Sequence, residues 1–127
     1  MGKVKRIIVD LDDTLCRTTN NDYRESLIDV SILQKLNHYK SIGFEIVIST
    51  SRNVRTYEGN IGKINANTLP IIIEWLKKNC VPFDEIYVGK PWCGDCGFYI
   101  DDKAIRPSEF KSLSYDQITN LLGKEKQ

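Results

Sequence analysis

Two pairs of acidic residues stand at places in the sequence where they could support metal-assisted chemistry. Asp10 and Asp12 lie one residue apart directly after a short apolar run, and Asp101 and Asp102 follow a second apolar run at 98–100. Four carboxylates gathered at one place repel each other, so without a cation at least one is expected to keep a proton at neutral pH. Carboxylate oxygens are hard ligands that favour Mg²⁺ over zinc or copper. The sequence therefore predicts a Mg²⁺ site formed by Asp10, Asp12, Asp101 and Asp102.

Two further residues, Thr50 and Lys90, follow apolar segments and would add a hydroxyl group and a positive charge. A pocket that combines carboxylates, a hydroxyl donor and a cation suits a phosphoryl group. Each residue also has a plainer interpretation, since Asp and Lys are common in solvated turns after strands. Ser49 and Ser51 flank Thr50, so a shift of one residue in the strand would change which hydroxyl faces the pocket.

The apolar segments before these residues are predicted to be strands, at 4–9, 44–49, 85–89 and 97–101. Helical spacing predicts one helix from the N-cap Asp29 to a stop at Gly43, and a second from about 67 to 79. Ser114 and Gln117 form a capping-box pattern for a last helix. The polar, glycine-containing stretch 53–66 is expected to be an exposed loop with at most a helical turn, and 123–127 to be frayed.

Strands that alternate with helices indicate an α/β fold in which a central parallel sheet carries helices on both faces. In such folds ligands bind at the carboxyl ends of the strands. Each predicted strand reaches a chemically capable residue at or just beyond that end, namely Asp10, Thr50, Lys90 and Asp101. The 127 residues contain no repeat or linker, so residues 1–127 are predicted to form a single domain.

Charge and hydropathy exclude two classes of partner. The chain has 18 Lys and Arg against 17 Asp and Glu, a net charge of +1, with the two signs interleaved. Nucleic-acid binding needs a basic excess on one face, so it is not expected. The N-terminal apolar run is too short for a signal peptide or a membrane span, which predicts a cytoplasmic protein without a membrane partner.

Cysteine usage fits a reducing compartment, in which thiols stay free. The sequence CGDC, with Cys93 and Cys96, leaves three interpretations open: free thiols, a redox pair or a metal site. Zinc needs about four ligands, and only Cys16, Cys80 and His38 remain to complete such a set.

The motifs match a known pattern when they are taken in order. DLDDT at 10–14, Thr50, Lys90 and YIDD at 99–102 resemble the haloacid-dehalogenase superfamily of phosphohydrolases. The resemblance implies that Asp10 is the nucleophile, which forms an aspartyl-phosphate, and that Asp12 is the general acid and base. It also implies that Thr50 and Lys90 hold the phosphoryl oxygens.

The same resemblance implies a Rossmann-like three-layer sandwich and a ligand set for Mg²⁺. The ion would be held by the Asp10 carboxylate, the Asp12 backbone carbonyl and the Asp101 side chain, with Asp102 orienting Lys90 or a metal-bound water. The segments between these motifs are short, so a capless member of the superfamily is expected. A capless site is open, and a second copy of the chain in a homo-oligomer could cover it.

Longer segments, 51–75 and 89–110, resemble a small subgroup of this superfamily that is associated with capsular and surface polysaccharide biosynthesis. The resemblance implies a small phosphorylated metabolite, a sugar phosphate above all, as substrate. We expect the loop after the second strand, together with a tryptophan beyond Lys90, to contact it: Arg52, Arg55, Tyr57, Glu58, Asn60, Lys63 and Trp92. The charged members are equally typical of a solvated surface, and Trp92 of packing.

The sequence also bears on other functions for a chain of this length. A phospho-receiver domain has a similar length, but it needs an aspartate after a middle strand, where this chain has Thr50, Ser51 and Arg52. That class is therefore excluded. A catalytically quiet module that binds sugar phosphates and a phosphatase of nucleotides remain as alternatives.

Overall fold

A parallel four-stranded sheet lies at the centre of the computed structural model, which describes residues 4–19, 22–88 and 95–126. The strands along the chain are β1 (Arg6–Asp10), β2 (Cys16–Arg17), β3 (Leu27–Ile28), β4 (Glu45–Thr50), β5 (Glu85–Val88) and β6 (Phe98–Ile100). The order across the sheet is β5-β4-β1-β6, and β2 and β3 form a separate antiparallel hairpin. Val9 of β1 is level with Ile48 on one side and Ile100 on the other, so the carboxyl ends of these strands meet at one edge.

Three helices lie between strands along the chain, and two more follow the last strand. They are α1 (Val30–Ser41), α2 (Ile61–Asn67), α3 (Leu69–Lys78), α4 (Pro107–Ser112) and α5 (Tyr115–Gly123). Short 3-10 helices add Tyr23–Glu25 and Lys124–Lys126. The predicted caps are confirmed: the Asp29 carboxylate accepts a hydrogen bond from the Ile32 amide at 3.1 Å, and Ser114 and Gln117 form the reciprocal box.

The sheet is buried on both faces. Ile7 and Val9 of β1 pack in one cluster with Leu36 of α1 and Trp75 of α3. Ile8, which alternation directs to the opposite face, is also buried. The fold is therefore an α/β Rossmann-like three-layer sandwich, as the sequence pattern predicts.

The prediction of a loop over 53–66 is wrong at its end, because α2 occupies 61–67. Asn60 caps this helix by accepting a hydrogen bond from the Lys63 amide, and Ile64 is fully buried. One buried side chain and a cap thus outweigh the low helical propensity of the segment.

The expected fraying at the C-terminus is not seen over 124–126. A 3-10 helix continues α5, and the Arg17 guanidinium donates a hydrogen bond to the Glu125 carbonyl at 3.1 Å. This contact ties the C-terminal turn to the β2–β3 hairpin.

The hairpin itself is anchored to the helical layer. Trp75 donates a hydrogen bond from its indole nitrogen to the Ser26 carbonyl at 2.8 Å, and the hydroxyls of Thr18 and Ser26 lie 2.6 Å apart. The segment between β1 and α1 is thereby held beside the carboxyl edge of the sheet. Among the helices described, none is both long and apolar enough to cross a membrane.

Candidate active site

Three aspartates converge where β1 and β6 end. Asp10 is the last residue of β1, and Asp101 and Asp102 directly follow β6. One carboxylate oxygen from each lies within 4.8 Å of the others. We call these three residues the carboxylate cluster. The convergence agrees with the expectation that chemically capable residues gather at the carboxyl ends of parallel strands, because β1 and β6 are adjacent and parallel.

The cluster perturbs the ionisation of Asp10. Burial, a hydrogen bond with Asp102 and the negative charges of Asp101 and Asp102 together raise the pKa of Asp10 from 3.8 to about 7. The Thr14 hydroxyl, 3.2 Å from both Asp10 Oδ2 and Asp102 Oδ1, offsets part of this rise. Asp10 is therefore the aspartate in which the predicted tendency to keep a proton near neutral pH is found.

A hard divalent cation fits this cluster. All of its donors are carboxylate oxygens, which suit Mg²⁺, and a cation would relieve the repulsion that raises the pKa of Asp10. The acidic residues of the sequence predict four aspartates at the metal, and the resemblance assigns Asp12 to it through the backbone carbonyl. The structure gathers three of these side chains and directs the fourth, Asp12, to a different partner.

Asp12 is paired with Arg52. Arg52 Nη2 lies 2.7 Å from Asp12 Oδ1, and Nε lies 3.1 Å from Oδ2, so both carboxylate oxygens are engaged. The Arg52 side chain is 2% exposed and the Asp12 side chain 34%. The guanidinium carbon lies 4.1 Å from the centre of the Tyr23 ring, which stacks over it. Arg52, predicted to contact substrate, is therefore buried behind Asp12.

The turn after β1 fixes where Asp12 points. Asp13 adopts φ 65°, a left-handed conformation that Asp tolerates better than most residues. The Leu11 carbonyl accepts hydrogen bonds from the amides of Leu15 and Cys16 at 3.0 and 3.1 Å. The chain therefore folds back immediately after Asp10, which separates Asp12 from the cluster.

An open cavity of about 250 Å³ lies at the cluster. Its lining residues are Asp10, Asp12, Asp13, Ser51, Asp101, Asp102 and Lys103. Asp13 and Lys103 are not among the site residues predicted from the sequence, and Ser51 is predicted there only as a flanking hydroxyl that a one-residue shift from Thr50 would bring to the pocket. Each of them directly follows a predicted site residue in the sequence. Because the loop after a strand begins at the same edge of the sheet, this adjacency could have indicated them.

Thr50 has a different environment from the one predicted for it. It is 2% exposed, and its hydroxyl accepts a hydrogen bond from the Arg52 amide at 3.0 Å. Ser51, which is exposed, lines the cavity instead. In this structure Thr50 shapes the loop that carries Arg52, while the hydroxyl-bearing residue among those that line the cavity is Ser51.

The remaining predicted contacts are not brought to the cluster. The cavity is not lined by the other predicted loop residues, of which Tyr57 is partly buried and the rest exposed: Arg55, Tyr57, Glu58, Asn60 and Lys63. Lys90 and Trp92 lie outside the described residues, as does Cys93. Among the described cysteines, Cys16, Cys80 and Cys96 form no disulfide with one another, and burial raises the pKa of Cys16 to about 12.

Comparison with known proteins gives one family relationship. The chain is 59% identical to a target protein from Vibrio cholerae of known crystal structure, with a TM-score of 0.67 and a match that covers 96% of this chain and 99% of that one. The chain therefore belongs to the same family as the Vibrio cholerae protein. No family model and no curated protein matches it.

More distant matches show the fold alone. Two chains from structures of the Pnkp1/Rnl/Hen1 RNA repair complex are each 19% identical to this one, with TM-scores of 0.50 and 0.54. The matches cover 69% and 88% of this chain but only 26% and 37% of those chains. The α/β core thus occurs inside larger proteins as well as in a chain of this length.

Proposed function

We propose that this chain, a member of the same family as the Vibrio cholerae protein, is a Mg²⁺-dependent phosphatase of the haloacid-dehalogenase type. It would hydrolyse phosphoric monoesters through an aspartyl-phosphate on Asp10. The observation that carries the proposal is the carboxylate cluster beside an open cavity at the carboxyl edge of the sheet. Asp12 lines the same cavity, which a group that exchanges protons with the substrate requires.

The metal would be held by Asp10 and Asp101, with Asp102 in the same group of oxygens. When bound, Mg²⁺ would neutralise the cluster and polarise the phosphoryl oxygens. The raised pKa of Asp10 supports this role, because it is caused partly by negative charge that a cation would balance. Asp10 must be ionised to act as a nucleophile.

The chemistry assigned to the chain's own residues has two steps. An Asp10 carboxylate oxygen attacks phosphorus while the bond from phosphorus to the ester oxygen breaks, and Asp12 donates its proton to that departing oxygen. Asp12, now a carboxylate, then takes a proton from water as the water oxygen attacks phosphorus. This second attack releases phosphate and restores Asp10.

The rest of the cavity can hold the transferred group. The Ser51 hydroxyl and the Lys103 ammonium line it, and the resemblance assigns Thr50 and Lys90 to the phosphoryl oxygens. The open cavity accepts a small polar leaving group, and the resemblance to the polysaccharide-associated subgroup favours a sugar phosphate in the cytoplasm. Arg55, Tyr57, Glu58, Asn60 and Lys63 stay candidates for contact with the sugar.

The test is orthophosphate release from 4-nitrophenyl phosphate and from a panel of phosphorylated sugars and nucleotides. We expect Mg²⁺-dependent turnover that chelator abolishes, a preference for a sugar phosphate, and no turnover with Asp10→Asn. Asp116→Asn, an exposed aspartate of α5, is the matched control and should stay fully active. Full activity in Asp10→Asn would contradict the mechanism. Binding of sugar phosphates without turnover would favour a quiet binding module, and selective hydrolysis of nucleotides would favour a nucleotide phosphatase.

A further inference from the structure

We infer that Arg17 and the C-terminal turn Lys124–Lys126 form the subsite that selects the leaving group, and that this subsite takes an uncharged group rich in hydroxyls, as in a neutral sugar. The inference rests on the proposed phosphatase function and deepens it. It adds a contact region that is not among the site residues predicted from the sequence.

A cavity of about 310 Å³ lies beside the one at the carboxylate cluster. We call it the turn cavity, and its lining residues are Asp13, Arg17, Asp102, Lys103 and Glu125. Its volume is within the range of ~300–1,000 Å³ that is typical of small-molecule sites. Because Asp13, Asp102 and Lys103 line both cavities, the two share a wall. A monoester whose phosphoryl group lies at the cluster can therefore extend its leaving group into the turn cavity.

The turn cavity lies on the β6 side of β1. Asp13 follows β1 in the chain, and Asp102 and Lys103 follow β6. The loop predicted to contact the substrate instead follows β4, which adjoins β1 on its other side. A leaving group in the turn cavity therefore meets Arg17 and Glu125 and extends away from that loop.

The wall formed by the C-terminal turn is held in place by Arg17. Arg17 Nη2 donates a hydrogen bond to the Glu125 carbonyl at 3.1 Å, although the two residues are 108 positions apart in the sequence. Arg17 is in turn paired with Leu27 in the β2–β3 hairpin. Trp75 anchors this hairpin through the Ser26 carbonyl. The Glu125 side chain is thus carried on a supported turn, and loss of Arg17 would alter the cavity as well as remove a lining group.

The lining of the turn cavity offers both acceptors and donors of hydrogen bonds. Its three acidic side chains supply carboxylate oxygens that accept, and its arginine and lysine only donate. A sugar hydroxyl donates one hydrogen bond and accepts others. A group that carries several hydroxyls therefore suits a wall that presents both kinds of partner.

The same lining disfavours other occupants. A second phosphate or a carboxylate on the leaving group would only accept hydrogen bonds, and it would face three acidic side chains against two basic ones. A second metal ion would meet the positive charges of Arg17 and Lys103. An apolar group would desolvate charged residues without replacing their hydrogen bonds. A neutral sugar is therefore the class of leaving group that these charges favour.

The experiment compares kcat/KM, measured as Mg²⁺-dependent orthophosphate release, for esters with different leaving groups. Glucose 6-phosphate, mannose 6-phosphate and ribose 5-phosphate have neutral sugars, whereas 6-phosphogluconate carries a carboxylate besides its hydroxyls. The ester 4-nitrophenyl phosphate has no hydroxyl on its leaving group and reports the chemistry at the cluster. We expect the wild type to prefer the best neutral sugar phosphate to 6-phosphogluconate by at least about tenfold.

Arg17→Met should lower the ratio of kcat/KM for the best neutral sugar phosphate to that for 4-nitrophenyl phosphate by about 10- to 100-fold, the usual effect of losing a hydrogen bond to a charged group. The change should lie mainly in a higher KM for the sugar phosphate, because the subsite binds the leaving group before and during the reaction. A chain that ends at Gly123 should show the same pattern. Glu125→Lys, which makes the lining net positive, should shift the preference toward 6-phosphogluconate by about 3- to 10-fold.

Two exposed residues away from the cavity supply matched controls. Arg24 and Glu74 form an exposed ion pair at 3.9 Å, and neither is among the residues that line the turn cavity. Arg24→Met and Glu74→Lys repeat the two changes of charge and should leave both ratios unchanged. Glu125 is exposed, so Glu125→Lys keeps the test decisive if Arg17→Met folds poorly.

Two results would overturn the inference while leaving the phosphatase function intact. One is a wild type that hydrolyses 4-nitrophenyl phosphate with Mg²⁺ but prefers 6-phosphogluconate to the neutral sugar phosphates or hydrolyses none of these sugar esters. The other is a ratio that Arg17→Met or Glu125→Lys leaves at its wild-type value. Absence of Mg²⁺-dependent hydrolysis of every ester would instead overturn the proposed function, so the wild-type measurement distinguishes the two failures.

Discussion

Replacing Asp10 by Asn should stabilise the metal-free protein, although Asp10 is the proposed nucleophile. The folded-state pKa of Asp10 is about 7 against an ordinary value of 3.8, so the folded state disfavours its charge. At ~1.4 kcal/mol per unit of pKa, this shift would lower the free energy of unfolding of the wild type by about 4 kcal/mol at most. The site is open to solvent, which screens the charges, so we expect about 2 kcal/mol.

The size of this stabilisation depends on pH. Below about pH 4 both folded and unfolded chains carry a protonated Asp10, and its replacement changes nothing through charge. Between pH 4 and pH 7 the unfolded chain ionises first, so the wild type loses stability as pH rises. Above about pH 7 the full penalty applies. The advantage of Asp10→Asn should therefore grow from pH 4 to pH 7 and then stay constant.

Thermal and urea unfolding in chelator at several pH values measure this advantage. At pH 8 we expect a rise in Tm of about 6–10 °C, given about 3–5 °C per kcal/mol for a domain of this size. Asp12→Asn should act oppositely and cost about 2 kcal/mol, because it leaves the buried Arg52 unpaired. Asp116→Asn should show neither effect. A neutral or destabilising Asp10→Asn at pH 8, or an advantage that does not vary with pH, would refute the reasoning.

Two further predictions concern metal and fold stability. Mg²⁺ should raise the Tm of the wild type at pH 8, and it should raise the Tm of Asp10→Asn much less. Calorimetry measures both values, and equal rises in Tm for the two proteins would contradict the metal site. Asp84 is an exposed residue whose slight burial alone would raise its pKa, but the Lys40 ammonium at 2.7 Å and the Ile46 amide at 2.8 Å outweigh this burial and lower it. Asp84→Ala should therefore lower the free energy of unfolding, measured with urea, by about 1–2 kcal/mol at neutral pH. This loss should shrink as pH falls below about 4, and a loss that is the same at every pH would contradict the prediction.

The sheet and its acidic edge could be predicted because they depend on local signals. Strands buried on both faces are apolar along their length, and β1 and β4 show this plainly. Asp29 and Ser114 are caps that act within one turn of helix, so three residues suffice to reveal them. Asp10 and Asp101 end such strands and converge because parallel strands share an edge.

The partner of Asp12 could not be predicted, because it depends on contacts distant in sequence. Arg52 is forty residues away, and its burial requires Tyr23 of the hairpin to close over it. Nothing in the sequence 52–63 distinguishes the buried Arg52 from an exposed arginine such as Arg55. Similarly, α2 forms because Ile64 is buried by the fold, not because its own sequence favours a helix.

The most direct test of the central claim is a crystal structure with Mg²⁺ and beryllofluoride, which imitates a phosphoryl group on a carboxylate. We predict beryllium bonded to a carboxylate oxygen of Asp10, Mg²⁺ on Asp10 and Asp101, and Asp12 still held by Arg52 with one oxygen toward the open face of the beryllofluoride. Beryllofluoride bound to another residue, or Mg²⁺ coordinated by the Asp12 carboxylate in place of Asp101, would contradict the account.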